Sequence, residues 1–93
     1  MNNNSDKHEQ NKKATALKYD PEQNKAPQVI AKGSQELANR IIQRAQEHDI
    51  PIYHDQELVE NLIQLDLDEE IPEELYHVVA EVLSFIYQLN DQN

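Results

Sequence analysis

Apolar and polar positions fall into segments of two different periods along the 93 residues. From Glu70 to Leu89 polar side chains recur at Glu74, His77, Glu81, Ser84 and Gln88, three and four apart, which is one narrow wet stripe on a helix. Leu75, Tyr76, Val78, Val79, Val82, Leu83, Phe85, Ile86 and Tyr87 fill nearly all the remaining circumference. Pro72 suits the first helical position, where its missing N–H is no loss, and Glu73 and Glu74 oppose the positive end of the helix dipole. So apolar a helix calls for cover on more than one side, which makes it the organising core element. Its aromatic residues, with Tyr53, are expected to be core rings with a polar tip rather than a stacking platform.

Taken in order, residues 1–13 are asparagine-rich and nearly free of apolar side chains, so they read as a disordered polar tail. Thr15, Leu17 and Tyr19 alternate with Ala14, Ala16 and Lys18, a short strand that Asp20-Pro21 ends. Gln28 to Lys32 reads as a second, more central strand. Gly33, the only glycine, is expected in a backbone conformation other residues resist, with Ser34 as a helix N-cap and Glu36 in the first turn. Leu37, Ala38, Ile41, Ile42 and Ala45 form one face of a helix ending near His48-Asp49. Ile50 to His54 reads as a third strand, at an edge because of Pro51, and the strand–helix–strand order favours a right-handed parallel crossover. Asp55 caps a helix carrying Leu58, Val59, Leu62 and Ile63, and Asp66 to Glu70 is an acidic connector. The expected fold class is α/β of an α+β-like kind, a small mixed sheet of about three strands packed with three helices. The domain spans 14–90, with tails at 1–13 and 91–93.

Charge and composition exclude more than they suggest. Residues 1–25 carry five lysines against four acids, and the remainder carries three cations against fourteen acids. A body this acidic repels phosphate backbones, so nucleic acid is not an expected partner. Cysteine is absent, which removes disulfides and thiolate metal sites. No signal peptide is visible and no apolar run reaches the roughly 18 residues a bilayer span needs, so the chain reads as cytoplasmic. His77 stands four residues from both Glu73 and Glu81, yet three ligands on one exposed helix enclose an ion poorly. Asp55 and Glu57, beside His54, already have capping roles, and the acids at 66–70 lack the glycine and spacing of a calcium loop. No phosphate loop, nucleophile elbow or HExxH is present, and neither a catalytic site nor a cofactor is expected.

Four blocks carry a resemblance: Ala16 to Pro21, Ala26 to Gly33, Ile50 to Ile52, and Glu70 to Tyr76, continued through Ala80 to Tyr87. In this order and spacing they resemble the cytoplasmic C-terminal domain of the FlhB/YscU proteins of flagellar and virulence-type III secretion. The resemblance implies a small sheet with helices around it. It also implies a part, played through protein contacts, in choosing which substrates are exported and in switching between them.

Departures from the family pattern qualify that expectation. The family's transmembrane helices have no counterpart here. Its Asn-Pro-Thr-His motif, where the asparagine cyclises and breaks its own peptide bond, falls on Glu9-Gln10-Asn11-Lys12. Glutamate does not form that succinimide, so no self-cleavage is expected. Asp68 replaces a glycine usual in the connector, and Glu60 stands where a basic residue is common.

The expected function is therefore that of a non-enzymatic, free-standing homologue of the export-switch domain, peripheral to the export gate. A regulatory or metal-responsive binding domain that shares the fold without the secretion role is the alternative. Expected partners are components or substrates of the export apparatus. The family also has a strand upstream of the cleavage motif, and residues 1–13 hold no apolar counterpart, so a sheet edge or groove is expected to be left for strand addition. Candidate contact residues are Lys18, Tyr19, Asp20, Pro21, Ala26, Pro27, Lys32 and Gly33. A structural reading competes for each, with Tyr19 in the core and Pro27 and Gly33 as backbone punctuation.

Overall fold

The computed structural model describes residues 12–91. β1 (Lys13–Lys18) and β2 (Gln28–Ser34) form an antiparallel pair, followed by α1 (Glu36–Glu47), α2 (Gln56–Leu62), a 3-10 turn (Glu73–Leu75) and α3 (Tyr76–Asp91). The class is the mixed one expected, with a sheet of two strands rather than three. The segment expected as a third strand, Ile50 to His54, is irregular and exposed, so the hairpin needs no parallel crossover. Its one backbone hydrogen bond outside regular elements runs from Ile50 N–H to the Ala45 carbonyl at 2.8 Å. That bond and Asp49 N–H to Gln46 close a Schellman end on α1, with Asp49 at φ 57°. β1 begins at Lys13 and α3 runs through Asp91, each one residue beyond the expected bounds. The rest of the expected tail, 1–11, lies outside the described residues.

Register explains which helix covers which face. Lys13 pairs with Ser34, Ala14 with Gly33, Thr15 with Lys32 and Ala16 with Ala31; Leu17 then pairs with Val29, leaving Ile30 as an extra residue in β2. Ala14, Ala16, Ala31 and Gly33 therefore share one face of small side chains, the face against which α1 lies. A Cβ on Gly33 would come within 2.9 Å of Leu37 Cβ. Gly33 has no positive φ, so close approach of α1, not an unusual conformation, is what requires glycine there.

The opposite face carries Leu17, which packs on the core of Ala26, Leu58, Leu62, Ile71 and Val79. Burying each of the larger side chains contributes on the order of 1.5–3 kcal/mol. Lys13 on this face reaches Glu60 of α2 at 3.5 Å. Lys32, also on this face, donates from Nζ to the carbonyls of Ile63 (3.3 Å) and Leu65 (2.6 Å). It thereby gives a charged donor to two carbonyls at and just beyond the C-cap of α2.

Helix starts follow local chemistry. Asp55 caps α2 as expected, its Oδ1 accepting from Leu58 N–H at 3.0 Å. Ser34 does not cap α1: it remains in β2 opposite Lys13, and the chain reverses at Gln35 (φ 57°, ψ −121°), which has no side-chain cap. Pro72 precedes the first turn rather than entering it, because its ψ of 161° is extended. The last helix is covered on one side, not all round. Val79 is buried, while Tyr76 (40% exposed) and Phe85 (49% exposed) remain in reach of solvent. Tyr53 meets Phe85 edge to face, with ring centroids 5.7 Å apart. These aromatics are surface features, against the expectation of core rings, because so few elements are available to cover them.

Candidate protein-contact surface

Two features of the surface have no partner within the described residues. The first is an apolar pocket of about 170 Å³ between the β1–β2 loop and α3. A turn at Asp20 shapes the loop side: Asp20 Oδ1 accepts from Glu22 N–H at 3.0 Å, and the Asp20 carbonyl accepts from the N–H groups of Gln23 and Asn24. The chain then returns through Ala26 and Pro27, both buried, and the Pro27 carbonyl accepts from Ile71 N–H at 2.9 Å. This brings Tyr19, Lys25, Ala26 and Pro27 to one wall. Tyr76, Val79, Ala80 and Leu83 supply the other, at helical spacings of three, four and seven from Tyr76, with Ile71 lining the pocket between them. Ala80 is the small residue that opens the wall. Lys25 is the one charged side chain in the lining.

The second feature is the outer edge of β1. Gln35 N–H donates to the Lys12 carbonyl at 2.8 Å, so the pairs Ala14–Gly33 and Ala16–Ala31 are the hydrogen-bonded ones, and Lys13 and Thr15 turn their N–H and C=O outward. Val29 directs its own N–H and C=O away from β1, to Glu69 (3.0 Å) and from Asp68 (2.7 Å), so its partner Leu17 also faces outward. No backbone hydrogen bond among the described residues reaches Lys13, Thr15 or Leu17 on that side.

Of the eight candidate contact residues, Tyr19, Ala26 and Pro27 meet at the pocket. Lys18 is exposed at the end of β1, and Asp20 and Pro21 build the turn. Lys32 and Gly33 do structural work under α2 and α1. Sequence reasoning missed Lys25 and the helix wall; the signal was Ala80, the one small apolar residue in a run of large ones. His77 Nε2 lies 3.1 Å from Glu81 Oε1, both exposed, and no group of potential metal ligands forms among the described residues.

A family model described as the FlhB HrpN YscU SpaS Family matches residues 11–86. The chain belongs to that family. It is 48% identical over 80 residues to the YlqH protein of Bacillus subtilis, covering 86% of each. It is 41% identical over 76 residues to the flagellar biosynthetic protein FlhB of the same organism, covering 81% of this chain but 21% of that protein. The chain thus spans about a fifth of the length of its FlhB relatives. Its fold is similar to the cytoplasmic domain of FlhB from Shewanella putrefaciens (TM-score 0.80, 38% identity, 84% of this chain and 66% of that one). It is also similar to the PscU C-terminal domain (TM-score 0.76, 29% identity, 81% of this chain and 96% of that one). No helix among the described residues is long and apolar enough to cross a membrane. The connector position where the resemblance implies glycine, Asp68, has φ 69°, a conformation glycine takes freely. Glu60, where a basic residue is common, pairs with Lys13.

Proposed function

We propose that this chain is a non-enzymatic member of the FlhB-type export-switch domains. It acts through protein contacts in flagellar or type III export, at the cytoplasmic side of the export gate. Its task is to hold components or substrates of the apparatus while export specificity is selected. The family match over residues 11–86 carries this reading, and the small apolar pocket between the β1–β2 loop and α3 offers room for one partner side chain. With Lys25 as its one charged side chain and an otherwise mostly apolar lining, the pocket suits binding rather than turnover. The sheet edge offers a second contact by strand addition.

Purification of the tagged protein from its own cells, with bound proteins identified by mass spectrometry, tests the reading. Export-gate components or export substrates should be recovered, and Ala80→Trp, which fills the pocket from an exposed position, should lose them at unchanged melting temperature. Recovery of only unrelated proteins would end the secretion reading. Absence of self-cleavage is tested separately: the purified chain should keep a single intact mass on prolonged incubation. Of the positions matching the cleavage motif, Glu9 to Asn11 lie outside the described residues.

A further inference from the structure

We infer that the exposed strip formed by Ile50, Ile52, Tyr53 and Phe85 binds a basic amphipathic helix of another protein, apolar along its middle and bordered by lysine or arginine. This goes beyond the reading above, because it concerns a different surface and does not depend on an export role. The segment after α1 has the composition of a strand but no ladder to join, so Ile50, Ile52 and Tyr53 are all left exposed. Tyr53 meets Phe85 of α3 edge to face, which joins segment and helix into one patch. The patch is not the pocket. Phe85 comes nine positions after Tyr76, half a turn round at about 3.6 residues per turn, so it lies on the far side of α3 from the pocket wall.

Charge selects the occupant. Residues 45–93, which supply the whole patch, carry thirteen acids and no lysine or arginine. Exposed acids border the patch along the chain: Asp49 precedes Ile50, Glu57 lies in the first turn of α2 after Tyr53, and Glu81 stands one helical turn before Phe85. A helix with cations on both borders of its apolar face is therefore attracted to this half of the molecule, and an acidic one is repelled. The exposed rings favour the same partner, since an aromatic face attracts lysine and arginine. Pairing of the patch with itself in a second copy is disfavoured, because it would set one acidic half against another. A helix suits the site better than a strand: Ile50 to His54 is irregular and offers no regular row of backbone groups, which leaves recognition to side chains.

The test uses the purified chain and two blocked synthetic peptides, each a helix of about 18 residues with the same leucine and phenylalanine face. One is bordered by lysine, the other by glutamate. At about 50 mM salt the lysine peptide should bind at least about tenfold more tightly, and the preference should shrink at about 500 mM. Phe85→Gln should weaken the lysine peptide about tenfold. Should Phe85→Gln fail to fold, Ile50→Gln, at a more exposed position, should weaken it about fivefold. Ala80→Trp, which fills the pocket, should leave this affinity unchanged. Equal affinity for the two peptides would overturn the inference, as would binding lost in Ala80→Trp but kept in Ile50→Gln, which would move the site to the pocket. A dimer in analytical ultracentrifugation that Ile50→Gln dissolves would assign the patch to a second copy and overturn it too. The assay contains no export protein, so its failure leaves the secretion reading as it stands.

Discussion

The two edges of the β1–β2 hairpin begin from equivalent backbone chemistry and end in opposite states. On the β2 side, Val29 exchanges hydrogen bonds with Asp68 and Glu69, Pro27 accepts from Ile71, and the Gln28 side chain donates to the Asp68 carbonyl. On the β1 side, Lys13, Thr15 and Leu17 are left without backbone partners among the described residues. Over Pro27 to Val29 the first edge is closed by a connector that returns from forty residues away in sequence; the second is guarded by lysines at its ends. Closing an edge makes it part of the core, and Val29 accordingly has no exposed surface. Guarding an edge with charge keeps it soluble and leaves it selective.

The same substitution on the two edges should break the comparison most sharply. Val29→Pro removes a made hydrogen bond and part of a fully buried side chain, so a loss of about 3 kcal/mol or more is expected in urea unfolding. Lys32→Met should cost about 2 kcal/mol by leaving the carbonyls of Ile63 and Leu65 without their charged donor, read as a lower urea midpoint at constant slope. Asp68→Gly should instead stabilise the closed edge by about 1 kcal/mol, since φ 69° strains an aspartate and not a glycine. Thr15→Pro should have the smallest effect, under about 1 kcal/mol, because its N–H points off the sheet. A Thr15→Pro loss as large as that of Val29→Pro would mean the β1 edge is closed after all.

Much of the fold was legible in the pattern of residues. Both strands, the Asp55 cap and all three helices lie close to where periodicity and capping chemistry put them. The third strand was not legible as absent: Ile50-Pro51-Ile52-Tyr53 has strand composition, but composition does not supply a neighbouring ladder. Ser34 has the side chain of an N-cap, yet its pairing with Lys13 takes precedence and passes the reversal to Gln35. Gly33 is required by close packing and not by positive φ, two causes that leave the same mark on a sequence. Of the contact surface, Tyr19, Ala26 and Pro27 were visible as a turn-rich block, whereas the helix wall required knowing which face of α3 meets that loop. The β1 edge followed from the register, which a single strand does not reveal.

The extra residue at Ile30 also separates the two edges of the hairpin in phase. Because the irregularity is absorbed in β2, the phase of hydrogen bonding toward the connector is shifted by one residue, while β1 keeps an unbroken two-residue period. The bonds of Val29 to the connector and the outward groups of β1 therefore lie on opposite sides of the hairpin, and an irregularity on the first leaves the spacing of the second unchanged.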